Sequence, residues 1–215
     1  MLRRNLILLR VDKPGKIIIL NGTPRSGKSS IASVIQKTFE GVWMNFGVDQ
    51  FMQMTPEQFQ PGIGLRPGGE LPELEPTIKI MYRAMYEAIA QFSRQGLNVV
   101  VDVGHHEGYS VPLRILPDCA RILDGLPVLF IGVRCPIEVI MERRIKTWNV
   151  GYDDDFKVPK PVALWQKLVH IPGIYDIEVD TSVLSPEECA KLISQRLEDE
   201  QPPSAFQLIK DIENE

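Results

Sequence analysis

Five short apolar runs are spaced along the chain, and each has the length of a β-strand. They are KIIIL at Lys16–Leu20, Val42–Phe46, LNVVVDV at Leu97–Val103, PVLFIGV at Pro127–Val133 and YDIEVD at Tyr175–Asp180. Three of them are almost continuous in β-branched and aliphatic residues, as is typical of strands that are covered on both faces. The pattern therefore predicts a parallel sheet buried between two layers.

The segments between these runs have helical periodicity. In Pro76–Arg94 one helix face carries the apolar residues Ile78, Met81, Tyr82, Met85, Ile89 and Phe92. Another helix opens at Ser185 with a capping box to Glu188 and a proline at its first position. This alternation predicts an α/β fold with a doubly wound, parallel, five-stranded sheet and helices on both faces. Functional sites of such sheets lie beyond the carboxyl ends of the strands.

Two segments interrupt the alternation. Pro56–Glu75 is rich in proline and glycine, which indicates a long loop, and long loops are usually functional or disordered. Trp148–Pro161 contains three consecutive aspartates, Asp153–Asp155, and follows a basic stretch, which suggests a lid over about 143–161 with a solvated tip. We expect a single domain over 1–215, with a core at about 16–198 and a C-terminal tail at 199–215.

Composition and charge narrow the classes of function. With 44% hydrophobic and 24% charged residues, the chain has the composition of a globular protein. The net charge of −4 argues against a nucleic-acid-binding surface but leaves room for a local phosphate pocket. The apolar run Leu6–Leu9 is too short to span a membrane. We expect neither nucleic acid nor membrane as a partner, and homo-oligomerisation stays open.

The chain has three cysteines, Cys119, Cys135 and Cys189, which are widely spaced and form no CxxC pair. This pattern favours neither a disulfide framework nor a zinc site. It predicts buried thiols in a reducing cytoplasm.

A phosphate-binding signature, G-x-x-x-x-G-K-[ST], begins directly after the first predicted strand. Its glycines let backbone N–H groups point at phosphates, and a helix follows with its positive dipole end towards them. The lysine reaches the β- and γ-phosphates, and the following hydroxyl binds Mg²⁺. The sequence thus predicts a P-loop for a nucleotide, formed by Gly22, Thr23, Pro24, Arg25, Ser26, Gly27, Lys28, Ser29 and Ser30.

Asp102 ends the valine-rich strand, where an acid at the carboxyl edge can hold the Mg²⁺ through water. We therefore expect Ser29 and Asp102 to form the metal site. The alternative is a solvated aspartate at the end of a strand.

The remainder of the chain limits the class of P-loop protein. A GTPase needs an N-K-x-D segment that reads guanine, and the sequence has none. Motor ATPases are usually longer. The length suits a small kinase, in which a lid supplies arginines to the transferring phosphoryl group and a hydroxyl acceptor enters from the opposite side.

From about Lys16 to Leu192 the chain resembles the chloramphenicol phosphotransferase family. Besides the P-loop, the matching pieces are F-G-V-D at Phe46–Asp49, G-V-R-C at Gly132–Cys135 and Y-D-I-E-V-D-T at Tyr175–Thr181. The resemblance implies an adenylate-kinase-like P-loop fold with ATP and Mg²⁺ as cofactors. It also implies transfer of the γ-phosphoryl group to a hydroxyl of a small molecule, with Asp49 as catalytic aspartate and Arg143 as lid arginine.

The segments Pro61–Glu75 and Gly104–Glu107 differ from the antibiotic-modifying enzyme, so the resemblance carries over the phosphoryl-donor half alone. This difference leaves two rival functions: a kinase for a nucleoside or another metabolite, and a nucleotide-binding regulatory protein without transfer activity.

Several residues have two interpretations. Asp49 is a general base that takes the hydroxyl proton late in a loose transition state, or it is an Asx-turn or helix N-cap acid. Arg25 contacts phosphate or faces solvent. Arg144 follows Arg143 on a helix at Ile137–Thr147, so a surface salt bridge suits it equally well. The segment His105-His106-Glu107 invites a metal site, but adjacent histidines rarely bind one ion together, and no further ligand occurs at a supporting spacing. We instead expect this segment to form a loop near the acceptor.

Overall fold

The computed structural model describes residues 13–60, 67 and 71–212. Its five strands are β1 (Ile17–Asn21), β2 (Trp43–Asn45), β3 (Asn98–Val103), β4 (Val128–Arg134) and β5 (Ile177–Asp180). All neighbouring strands are parallel, in the order β2-β3-β1-β4-β5. The predicted five-stranded parallel sheet is confirmed, and β5 begins two residues later than the sequence pattern indicates.

Eight α-helices are described. They are α1 (Lys28–Thr38), α2 (Val48–Gln53), α3 (Glu75–Arg94), α4 (Ile115–Ile122), α5 (Ile137–Trp148), α6 (Lys160–Leu168), α7 (Pro186–Glu198) and α8 (Ala205–Lys210). Short 3-10 turns lie at Glu57–Phe59 and Pro72–Leu74. Helix α7 starts with the predicted capping box, in which the Ser185 hydroxyl accepts from the Glu188 amide and the Glu188 carboxylate accepts from the Ser185 amide.

Helices cover both faces of the sheet because side chains alternate along each strand. In β1, Ile17 and Ile19 enter a core with residues of α3, α4 and α8, whereas Ile18 and Leu20 enter a core with residues of α1 and α7. All five residues of β1 are buried, which explains why its first four residues, Ile17–Leu20, are apolar without interruption. The β1 carboxyl end therefore opens between two helical layers.

The segment predicted as a C-terminal tail contains a docked helix. Asp176 holds the start of α8, because its Oδ1 accepts hydrogen bonds from the amides of Ser204 and Ala205 and its Oδ2 accepts one from Phe130. Phe206 packs edge-on against Phe130, with ring centroids 5.0 Å apart. Residues 199–212 thus belong to the folded body rather than to a free tail.

The predicted lid region consists of the second half of α5, a turn and the start of α6. In the turn, Asp153 accepts hydrogen bonds from the amides of Asp155 and Lys157. The Asp155 and Lys157 side chains are about three-quarters exposed, as expected of a solvated tip. In the described part of the chain, no helix combines the length and apolarity needed to cross a bilayer.

Two segments with sequence-based expectations lie outside the described residues. They are the N-terminal run that includes Leu6–Leu9 and part of the proline- and glycine-rich loop, at 61–66 and 68–70.

Candidate active site

The P-loop connects β1 to α1 and curls through a left-handed residue. Gly27 is the N-cap of α1 with φ 96°, a conformation that glycine adopts without steric cost. The Thr181 hydroxyl, at the end of β5, donates a 2.6 Å hydrogen bond to the Ser26 carbonyl. The loop is therefore held at the carboxyl edge of the sheet with the α1 N-terminus behind it, an arrangement suited to phosphate.

Lys28 folds back over its own loop. Its ammonium group donates 2.8 Å hydrogen bonds to the carbonyls of Gly22 and Thr23. Burial lowers the pKa of Lys28 to about 8, although the negative charges of Asp102 and Asp49 oppose the shift. The lysine thus lies at the centre of the cradle, where a phosphate oxygen can take over from the two carbonyls.

Ser29 and Asp102 meet as the sequence predicts. The register pairs Leu20 of β1 with Asp102 of β3, and this brings the strand-end aspartate beside the P-loop. The Ser29 hydroxyl donates a 2.7 Å hydrogen bond to Asp102 Oδ2. Asp102 is 8% exposed, so it is not a solvated strand-end residue. A hydroxyl and a carboxylate are hard oxygen donors that suit Mg²⁺, and these two residues fit such a site.

Gly47 is the glycine of the F-G-V-D segment, and its surroundings explain why this position has no side chain. It is the N-cap of α2, with an ordinary φ of −87°. A Cβ atom at this position would lie 1.6 Å from Asp102 Oδ1. Any side chain here would displace the carboxylate, so the glycine is required by close packing rather than by backbone conformation.

We expect Gly47→Ala to lower turnover about tenfold and to raise the Mg²⁺ concentration needed for half-maximal activity. The loss is smaller than the roughly 10²-fold that a 1 Å displacement can cost at a catalytic centre, because the carboxylate can rotate away. Activity should be measured across a Mg²⁺ titration. Gly151→Ala is the control, since a Cβ there meets only the flexible Ile145 side chain, at 3.3 Å. Unchanged Mg²⁺ dependence in Gly47→Ala would argue against the metal site.

Asp49 lies in the first turn of α2 and not on a loop after the second strand. The short helix begins immediately after Gly47, which the sequence pattern does not reveal. The N-cap interpretation of Asp49 is wrong, because Gly47 is the N-cap and no side chain caps this helix. Asp49 is exposed and lines the cavity beside the P-loop. Burial lowers the pKa values of Arg25 and Lys28, and the charge of Asp49 opposes both shifts, so the carboxylate acts on the cradle electrostatically.

Arg143 braces the P-loop against β5. Its guanidinium group donates to the carbonyls of Arg25 and Thr181, at 3.2 and 2.6 Å, to the Thr181 hydroxyl at 3.1 Å and to Cys135 Sγ at 3.4 Å. The same side chain lines the cavity. Its contact with a transferring phosphoryl group stays a prediction, and its hydrogen bonds to the loop give it a positioning role as well.

Arg25, Arg144 and Trp148 form a stacked cluster at the mouth of the cavity. The Arg25 guanidinium lies 3.7 Å from the centroid of the Trp148 ring, and that of Arg144 lies 5.2 Å from it. Burial lowers the pKa of Arg25, and the charge of Asp49 opposes this shift. Arg144 is 6% exposed, so it is buried and does not lie on the surface. Both arginines line the cavity, where they add positive charge near the phosphate cradle.

The segment His105-His106-Glu107 has three different roles. His105 Nε2 and the Tyr86 hydroxyl are 2.6 Å apart, and burial lowers the pKa of His105 to about 3, which keeps the ring neutral. His106 stacks on Tyr109 and lines the cavity. The Glu107 carboxylate accepts from three amides at the start of α4, those of Leu113, Arg114 and Ile115. Across the described ranges, no group of three or more His, Cys, Asp and Glu residues could hold a metal ion.

A cavity of about 920 Å³ joins these parts at the carboxyl edge of the sheet. One side is polar and includes Arg25, Lys28, Ser29, Arg143, Arg144 and Thr181. The other side is apolar and aromatic and includes Met52, Met81, Tyr82, Met85, Tyr109 and Trp165. The volume lies near the upper end of the range for small-molecule sites. It leaves room for a second molecule beside the phosphates.

The sequence pattern does not identify the apolar side as part of the site. The face of α3 that carries Ile78, Met81, Tyr82 and Met85 reads as core in the sequence, and these residues also line the cavity. Apolar periodicity indicates burial but does not distinguish a protein core from a binding cavity. No sequence signal marks Trp165 as a cavity wall rather than a packing residue.

The fold and the cradle define the class of protein as a P-loop α/β protein, with a parallel sheet and the P-loop signature at the β1 carboxyl end. The chain belongs to the chloramphenicol phosphotransferase-like family, whose family model matches residues 15–198. It is therefore a phosphotransferase of the kinase type.

Similar proteins agree with this class. A Mycobacterium tuberculosis protein named provisionally as an O-phosphotransferase is 25% identical over 91% of this chain and 88% of its own length. Shikimate kinase from Acinetobacter baumannii, solved with shikimate, has a TM-score of 0.55 at 14% identity and covers 86% of this chain and 93% of its own. The APS kinase of Mycobacterium tuberculosis has a TM-score of 0.55 at 16% identity over 87% and 99%. At these identities the solved structures show a shared fold.

Proposed function

We propose that the protein transfers the γ-phosphoryl group of ATP, with Mg²⁺, to a hydroxyl group of an uncharged small molecule. The observation that carries the proposal is the placement of Asp49 on the same cavity as Lys28 and the Ser29–Asp102 pair. A nucleotide-binding protein without transfer activity needs the cradle but has no need of a carboxylate at the border of an apolar compartment. The buried, free cysteines are consistent with a reducing cytoplasm, where we place the reaction.

In this mechanism the residues of the site position the phosphates and neutralise their negative charge. Lys28 and the α1 N-terminus bind the phosphates, while Ser29 and Asp102 would hold Mg²⁺, which supplies charge neutralisation of the transferring group. The acceptor oxygen forms a bond to the γ-phosphorus as the bond from that phosphorus to the β-phosphate oxygen breaks. Asp49 takes the hydroxyl proton late in the transfer, when the oxygen has become more acidic. Arg143 keeps the P-loop in place through the carbonyls of Arg25 and Thr181.

The apolar side of the cavity supports an uncharged acceptor. Among the described residues, the segments that form this side, which are α2, α3, α6 and the loop after β3, contribute one charged side chain to the cavity lining, that of Asp49. An anionic acceptor would lose its hydration there without gaining a partner, and burial of an unpaired charge is strongly unfavourable. Aromatic rings and methionines instead offer a surface for flat or apolar groups. Shikimate, which a structural neighbour binds, is a carboxylate and does not suit this side.

A panel of acceptors tests the proposal. ADP release should be measured with ATP and Mg²⁺ in the presence of chloramphenicol, uncharged aromatic alcohols, nucleosides, shikimate or gluconate, with products identified by ³¹P NMR. We expect at least one uncharged compound, and neither carboxylate, to stimulate ADP release and to yield a phosphate ester. Stimulation by the carboxylates alone would overturn the acceptor class. ATP binding without stimulation by any compound would indicate a nucleotide-binding protein.

A further inference from the structure

Asn21 is a buried polar residue that has no part in the proposed phosphoryl transfer. It is the last residue of β1, it precedes the first glycine of the P-loop, and it is 1% exposed. Its Nδ2 donates to the Val169 carbonyl at 2.8 Å and to the Tyr175 hydroxyl at 2.9 Å, and its Oδ1 accepts from the His105 amide at 2.8 Å. One amide therefore ties two segments to β1: the loop after β3, 84 residues away in sequence, and the connection between α6 and β5, 148 to 154 residues away.

Both of these segments adjoin the walls of the apolar side. His105 directly precedes His106, and Val169 follows α6, which contributes Val162 and Trp165 to the cavity. The walls also contact the P-loop closely at Gly104. A Cβ at Gly104 would lie 3.1 Å from the Trp165 indole nitrogen and 3.2 Å from the Gly22 carbonyl. The close contacts at Gly104 thus fix the distance between the phosphate cradle and the acceptor walls. Asn21 lies next to this place and hydrogen-bonds to His105 and Val169, which adjoin the walls.

The P-loop itself has supports that do not involve the Asn21 side chain. The Gly22 amide donates to the Val103 carbonyl at 3.2 Å. Thr181 holds the Ser26 carbonyl, and Arg143 holds the Arg25 carbonyl. Loss of the Asn21 amide therefore releases the acceptor walls while the cradle keeps its anchors. Since the buried partners would lose their hydrogen bonds, the walls would have to move to satisfy them.

We propose that Asn21 is a positioning residue for the acceptor side of the cavity. It fixes the positions of the loop after β3 and of the end of α6 relative to the P-loop. It thereby determines acceptor binding without touching either substrate. The proposal rests on the proposed function for its consequence in catalysis. Its structural part, a selective displacement of the acceptor walls, holds independently of which hydroxyl compound is phosphorylated.

The experiment compares Asn21→Ala with Tyr175→Phe and with the control Asn98→Ala. Tyr175→Phe removes one of the three hydrogen bonds of Asn21 together with the 2.8 Å contact between the Tyr175 hydroxyl and His170 Nδ1. Asn98 is also a strand asparagine whose side chain accepts from a backbone amide, that of Lys16, but it lies at the amino end of β3. Each variant is labelled with ¹⁵N at the tryptophan indoles, and the three resonances are assigned by single Trp→Phe changes. Affinity for a fluorescent ATP analogue is measured in parallel, and thermal melting confirms that each variant is folded.

We expect the Trp165 indole resonance to shift in Asn21→Ala, to shift less in Tyr175→Phe and to stay in place in Asn98→Ala. The Trp43 resonance should stay in place in Asn21→Ala and Tyr175→Phe, and nucleotide affinity should change less than about twofold, since the cradle keeps its anchors. With chloramphenicol as acceptor probe, KM for the probe should rise about tenfold in Asn21→Ala while KM for ATP stays constant.

An unmoved Trp165 resonance, or an equal loss of nucleotide affinity, would overturn the proposal. If the wild type does not phosphorylate chloramphenicol, the proposed function fails for that acceptor, and the indole spectra still decide the role of Asn21.

Discussion

Replacing Asp49 by asparagine should lower turnover by roughly 10²–10⁴ while leaving ATP binding nearly intact, because the variant removes the general base and keeps the shape of the side chain. The carboxylate lies in the first turn of α2 and faces the cavity rather than a helix cap. Its loss also removes a negative charge near Lys28, so affinity for the polyanionic nucleotide should not fall. Rapid-quench measurement of phosphoryl transfer, with ATP affinity from calorimetry, separates the two effects.

The control for this variant is Glu87→Gln, which removes an exposed carboxylate of α3 and should leave turnover unchanged. Near-normal turnover in Asp49→Asn would end the assignment of Asp49 as general base. Parallel loss of ATP binding would instead give Asp49 a structural role in the cradle.

Replacing Lys28 by methionine should lower kcat/KM for ATP on the order of 10²–10³, the usual cost of removing one group that stabilises the charge of a transition state. Lys28 donates to the carbonyls of Gly22 and Thr23 at the centre of the P-loop. Methionine keeps the length of the side chain without its charge. Because burial already depresses the pKa of Lys28 to about 8, the ammonium is not expected to stabilise the fold, and the melting temperature should hold or rise.

Lys37→Met is the matched control, since Lys37 is exposed at the other end of α1. Kinetics near those of the wild type in Lys28→Met would contradict a role in phosphoryl transfer. A cooperative loss of folding would show that the lysine is structural.

The elements that the sequence predicts correctly are those encoded by local patterns. Strand β1 is apolar from Ile17 to Leu20 because both of its faces are buried, and the P-loop signature follows the strand at once. The pairing of Ser29 with Asp102 is expected from the general position of acids at strand ends. It is realised because β3 lies beside β1 with Leu20 opposite Asp102. The order of the strands could not be derived from local patterns, since the apolar run of a parallel strand does not specify which strand lies beside it.

The features that sequence reasoning missed depend on contacts between distant segments. The role of Gly47 emerges only when Asp102, 55 residues away, lies against it. Arg143 is expected at the phosphates, and its contacts with Thr181 and Arg25 depend on a choice of side-chain conformation that the sequence does not specify. Asn21 is a further example, because its three partners come from two distant parts of the chain, the loop after β3 and the connection between α6 and β5.

Helix α8 has a consequence for the choice of chain boundaries when a shortened form of this protein is expressed. The family match ends at residue 198, whereas Ala205, Phe206 and Ile209 of α8 complete the core that includes Phe130 and residues of α4. A version shortened to the matched stretch would retain every residue assigned to the chemistry and would expose an apolar surface on β4 and α4, which favours aggregation. The segment that carries the reaction is thus shorter than the segment that folds as a stable unit.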